Sequence, residues 1–238
     1  MRSIAEQSEH ELGGGASLLV RQRRDHAELD VLLRRVAATR DGEQEEALRA
    51  LYRLVFPHAF AEESVVWPVV RRALPDGQEL TVRNEREHQE INELVTRLER
   101  TTAGDPERDR LVAQVSDLLR QDARDEEDLI LPRLQAALDP AALRRLGRAW
   151  ELVRRTAPTR AHPAVARRPP GNALAAVPLT LLDRSRARLE GRAGSRPGPL
   201  PALVRRASRT LAAVAGRVEH VPPFTRGEDP STRSGRTG

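Results

Sequence analysis

His58-Ala-Phe-Ala-Glu62-Glu63, closed by Pro68, and Asp122-Ala-Arg-Asp-Glu126-Glu127, closed by Pro132, are two copies of one pattern. In each, a residue able to bind a metal is followed four positions later by Glu, then by a second Glu, then by proline ten positions on. Positions i and i+4 share a face on a helix, one turn apart, so each copy aims two donor atoms at one point. Upstream the likeness continues: Asp25-His26-Ala-Glu28-Leu29 is matched by Glu87-His88-Gln-Glu90-Ile91. Three of the six histidines thus fall at corresponding places in two copies of one helix pair, which scattered surface histidines would not do.

Around these blocks the apolar residues recur at helical spacing. A first helix runs from Ser17 through Leu18, Leu29, Leu33 and Val36 and ends before Asp41-Gly42. A second extends from near Glu43 to Leu74, with a kink expected at Pro57 and a bend at Pro68. A third spans roughly Glu79 to Arg100. Asp105-Pro106 and Asp139-Pro140 each place an N-cap acceptor before a proline at the first helical position, starting a fourth helix to Leu138 and a short fifth to Arg155. No segment alternates with period two. The expected fold is all-α: an antiparallel up-down four-helix bundle with a short fifth helix.

The chain divides by composition. Residues 1–155 hold 25 Arg against 30 acids, whereas residues 156–238 hold 15 Arg, 5 acids and 11 of the 17 prolines. The expected organisation is a flexible lead-in over 1–16, the bundle and fifth helix over 17–155, and a basic, largely disordered tail over 156–238. Within the tail, Leu203, Ala207, Leu211, Val214 and Val218 line a possible short helix and Val177–Leu189 a less regular one, while 167–171 and 194–201 read as linkers. Net positive charge makes an acidic partner or an anionic surface the expected contact of the tail. It lacks the interleaved aromatics of a single-strand binder, so no specific nucleic-acid partner is expected. Cysteine is absent, which removes disulfides, zinc ribbons and thiol catalysis and fits a cytoplasmic protein. No signal peptide is visible at the start, and the longest apolar run is too short to span a bilayer.

The helical reading brings His26, His58, Glu62, His88, Asp122 and Glu126 to one interior point: three imidazoles and three carboxylates from four helices. Imidazole and carboxylate suit iron or manganese better than a soft metal, and two carboxylates able to bridge make two ions the natural occupancy. Glu63 and Glu127 read as solvated or as orienting the histidines. Tyr52, Phe56 and Phe60 read as packing, with Phe56 or Phe60 placed to wall a small pocket, and Trp67 and Trp150 as core anchors. His10, His162 and His220 receive no role.

In this pattern the chain resembles the hemerythrin-like family, in its HHE cation-binding branch, over about residues 17–137. The resemblance implies a four-helix bundle holding a non-haem di-iron centre, with His26, His58, Glu62, His88 and Glu126 as ligands and the two glutamates bridging. It further implies binding or sensing of a small diatomic ligand or peroxide: O2, NO or an oxidant in oxidative or nitrosative stress. Two other classes stay open: a di-iron enzyme that consumes peroxide or donates iron, and a structural protein acting through its basic tail. One position departs, because Asp122 stands where the family has histidine. Either Asp122 is itself a ligand with a shifted redox potential, or the second ion binds weakly with water, or Asp122 faces the surface of a site that has lost one metal.

Overall fold

A computed structural model of the chain describes residues 1–102, 104–193 and 199–232. Among them every regular element is helical. The α-helices are α1 (Leu18–Ala38), α2 (Asp41–Ala61), α3 (Trp67–Ala73), α4 (Gly77–Leu98), α5 (Pro106–Asp125), α6 (Leu131–Ala137), α7 (Pro140–Thr156), α8 (Gly171–Ala193) and α9 (Pro199–Val218). Asp105 and Asp139 cap α5 and α7, their side chains accepting from the amides of Glu107 at 2.8 Å and Ala142 at 2.6 Å. Helix α2 runs on through Pro57. Pro68 and Pro132 act differently. Each lacks the N–H that would bond four residues back, and the preceding turn widens into a π-turn, over Glu62–Val66 and Glu126–Ile130. In these turns the amides of Trp67 and Leu131 reach back five residues to the carbonyls of Glu62 and Glu126.

The apolar residues of α1–α7 collect in two clusters with a polar layer between them. One contains Leu18, Val66, Trp67, Leu131 and Trp150; the other contains Leu33, Leu51, Val95 and Leu111. Along α1 the chain passes from the first cluster through Gln22–His26 to the second, and α2–α3 traverses the same layers in reverse. Helices α4 and α5–α6 repeat the alternation, so each rod crosses the polar layer near its middle. Burying a large side chain in either cluster contributes roughly 1.5–3 kcal/mol. Helix α7 crosses the start of α1 at Gly147, where a Cβ would collide with the Ala16 carbonyl.

Two expectations need correction. The first sixteen residues are not loose: Ile4 and Leu12 are fully buried in the first cluster, and the Ser3 hydroxyl donates to the Glu127 carbonyl at 3.3 Å. Nor is the tail largely disordered, since α8 and α9 pack on each other around Val165, Ala175, Leu179 and Ala215. The linker expected over 194–201 falls, for residues 194–198, outside the described residues. No helix among those described is long and apolar enough to cross a membrane.

His162, set aside from sequence, is buried at the junction of the two parts. Its backbone N–H donates to Asn92 Oδ1 at 3.0 Å, and its ring faces Asp183 at 3.3 Å and Glu219 at 3.6 Å. Burial alone would lower its pKa, but the two carboxylates outweigh burial and raise it to about 9. A histidine whose folded pKa lies above its unfolded value stabilises fully below about 6.5 and loses that contribution as pH climbs through 9. Comparing denaturant unfolding of the wild type and His162→Gln should therefore show the largest gap near pH 6, up to about 3 kcal/mol, fading by pH 9.5. A gap that is constant across this window would show that the ring is neutral in the folded protein.

Candidate metal centre

Each rod contributes side chains to the polar layer. His26 comes from α1, His58 from the last turn of α2, His88 from α4 and Asp122 from the last turn of α5. Glu62 and Glu126 open the two π-turns. His26 Nε2 lies 3.2 Å from Glu126 Oε2, His58 Nε2 3.0 Å from Glu62 Oε1, and His88 Nε2 3.8 Å from Glu62 Oε2 and 3.5 Å from Asp122 Oδ2. All six residues singled out from sequence are brought together. Two triads, His26–His58–Glu126 and Glu62–His88–Glu126, each have donor atoms within 4.8 Å of one another and could hold a metal ion; Glu126 is common to both. Asp122 points into the cluster, where Asn84 donates to its Oδ1 at 2.7 Å, so the surface-facing alternative does not hold.

Behind the histidines stands a second ring of carboxylates. Each Nδ1 is held by one: His26 by Glu127 at 3.0 Å, His58 by Asp25 at 3.2 Å, and His88 by Glu63 at 3.0 Å. This fixes the ring orientation and leaves Nε2 facing inward, the arrangement of a carboxylate-supported histidine ligand. Asp25 was missed in the sequence because its partner lies on another helix. Gln22, donating to Glu62 at 2.8 Å, and Asn84 were missed too, although a signal existed. Each stands four residues before its histidine, His26 or His88, so the two amides belong to the repeat.

Six carboxylates packed around three imidazoles leave a strong negative potential. Burial would depress the histidines, but Glu126 and Glu127 raise His26 to about 9. His58 and His88 are likewise carried well above their usual value against burial, His58 chiefly by Glu62 and His88 chiefly by Asp122. Burial and then the Glu126 charge push Glu62 up to about 7, while Glu126 itself, despite burial, is held well below the usual carboxylate range by His26 and His58. The layer calls for cations. A donor set of this kind also fits one at the level of single atoms: Glu62 Oε2, His88 Nε2 and Glu126 Oε2 are buried without a hydrogen-bond partner. Buried orphans of this kind are rare unless something else satisfies them.

A small cavity of about 30 Å³ adjoins the cluster, with Leu29, Phe56, Ile91 and Leu119 facing His58 and His88. That is room for a water-sized molecule or two. Phe60 lines a separate cavity behind Glu63. Trp150 is buried, its ring centroid 5.4 Å from that of His58 with the two planes nearly perpendicular.

The Asp122 half is the poorer in imidazole, and Glu87 stands beside it at the repeat position of Asp25. Asp122→His should restore a nitrogen ligand with a supporting carboxylate in place. Metal per chain, measured by elemental analysis at limiting metal, is expected to rise; an unchanged value would place residue 122 outside the coordination set.

Residues 17–134 match the family model of the hemerythrin HHE cation binding domain. Neither a curated protein nor a solved structure matches the chain significantly.

Proposed function

Starting from the membership of residues 17–134 in the hemerythrin HHE cation-binding family, we propose that this chain is a di-iron protein that binds or senses a small oxidant: O2, NO or peroxide. The observation that carries this reading is the pair of buried triads sharing Glu126, with orphaned donor atoms turned toward each other. His26 and His58 would serve one ion, His88 and Asp122 the other, with Glu62 and Glu126 between them. Iron, when bound there, supplies electrons and open coordination positions to a small ligand. The protein does the rest. Glu127, Asp25 and Glu63 keep the three Nδ1–H groups engaged, so the imidazoles cannot rotate away. Leu29, Phe56, Ile91 and Leu119 make the adjoining cavity apolar and small, which favours an uncharged diatomic over a bulky substrate.

Metal analysis and absorption spectra of protein purified under reducing conditions test the reading. Two irons per chain are expected, with a spectrum that responds to O2, NO or hydrogen peroxide. His58→Ala and His88→Ala should each lower the iron content, and His220→Ala should not. Protein that stays iron-free after loading, or full iron in both site variants, would end the proposal. The single imidazole on the Asp122 side favours exchangeable coordination and hence a second reading, a peroxide-consuming enzyme. Sustained decomposition of added peroxide would support it, and one stoichiometric bleaching the sensor.

A further inference from the structure

Two arginines beyond the matched domain reach the carboxylates that hold the histidines. Arg154, in the last turn of α7, places Nη1 3.5 Å from Asp25 Oδ2, the same oxygen that faces His58 Nδ1. Arg167, in the segment between α7 and α8, places Nη1 3.7 Å from Glu63 Oε1, the same oxygen that faces His88 Nδ1. Among the described residues no ion pair joins an arginine to Glu127, behind His26.

Neither guanidinium is a loose surface contact. Arg154 lies over the Trp150 ring, 5.2 Å from its centroid, and is also paired with Glu151 at 3.2 Å. Arg167 is buried, and its Nη2 donates to the carbonyls of His162 at 2.8 Å and Val165 at 2.9 Å. The segment carrying it is pinned by the residues that follow. Arg168 grips the buried Glu85 with Nε at 2.9 and 2.8 Å, and Asn172 donates to Ser64 Oγ at 3.2 Å.

Charge balance gives the pair a purpose. Asp25, Glu62, Glu63, Asp122, Glu126 and Glu127 carry six negative charges when the imidazoles are neutral ligands. Two divalent ions leave two of these uncompensated, and among the described residues Arg154, its charge shared with Glu151, and Arg167 are the guanidiniums paired with the set. A carboxylate on Nδ1–H makes an imidazole a stronger donor through Nε2, and a cation on that carboxylate opposes the effect. We propose that Arg154 and Arg167 are positioning residues that set the redox potential of the centre, by drawing charge from Asp25 and Glu63 and so favouring the reduced metal. The inference rests on the metal-holding reading above. It makes the region after residue 134 part of the centre's electrostatics.

The test is an anaerobic redox titration, followed by absorption, of the full-length iron-loaded wild type, Arg154→Gln, Arg167→Gln, Arg167→Lys and Arg97→Gln. Arg97 pairs with Glu107 on the exposed surface and controls for loss of any positive charge. Each site Gln variant is expected to keep wild-type iron and to raise the ratio of oxidised to reduced iron about tenfold at the wild-type midpoint, a fall of about 59 mV. Arg167→Lys should recover most of that shift, and Arg97→Gln should show none. Wild type that takes up no iron overturns the metal-holding reading and this inference with it. Iron-loaded wild type whose midpoint is unmoved by Arg154→Gln, or moved equally by Arg97→Gln, overturns this inference alone. Should Arg167→Gln fail to fold, Arg154→Gln decides, because its residue is partly exposed.

Discussion

Glu126→Ala should strip both metal positions at once. Glu126 is the one residue common to the two triads, and it is almost fully buried, so no solvent-borne group replaces it. Loss of an outer partner of a metal ligand typically costs about 10–100-fold in affinity, and loss of a ligand shared by two ions should exceed that. Equilibrium dialysis against ferrous iron, followed by elemental analysis, is expected to give near-zero metal for Glu126→Ala. Glu127→Ala, acting only through the orientation of His26, should weaken uptake without abolishing it. Wild-type metal content in Glu126→Ala would show that the two positions do not share this carboxylate, and the paired-ion reading would have to be abandoned.

Trp150→Ala should be the most damaging core substitution on α7. The ring is fully buried, packs in the first apolar cluster and meets His58 at its edge. Truncating such a residue removes its transfer free energy and leaves a cavity, together about 3–5 kcal/mol. For a chain of this size each kcal/mol shifts Tm by roughly 2–4 °C, so a fall on the order of 10 °C is expected. Calorimetry of metal-free protein isolates this packing effect from any change in metal binding. A loss under about 1 kcal/mol would mean that α7 is not seated on α1 and α2 as described.

Much of the centre was legible because the duplicated blocks carry their chemistry at helical spacing. His58 with Glu62, and Asp122 with Glu126, needed only the i, i+4 rule, and Asp105-Pro106 and Asp139-Pro140 marked where two of the helices begin. What escaped depends on partners remote in sequence. Asp25 immediately precedes His26 yet serves His58 on another helix, a choice that only packing makes. Helices α8 and α9 were underestimated for a related reason. Several of their buried positions are small or polar, Asn172, Ala175, Thr180 and Asp183, and these are satisfied by specific contacts such as Asn172 to Ser64 and Asp183 to His162. A reading based on proline, glycine and arginine content does not see such contacts. The fully buried Ile4 and Leu12 were likewise hidden among polar neighbours in the lead-in.

The π-turns at Glu62 and Glu126 have a consequence for how the centre fills. Elsewhere a widened turn can slide along its helix, because each amide can trade one acceptor for the next. Here Pro68 and Pro132 have no amide to trade, which locks the irregularity in place. The two glutamates should therefore keep their stations when the protein is empty, and loading with iron should proceed with little rearrangement of the main chain.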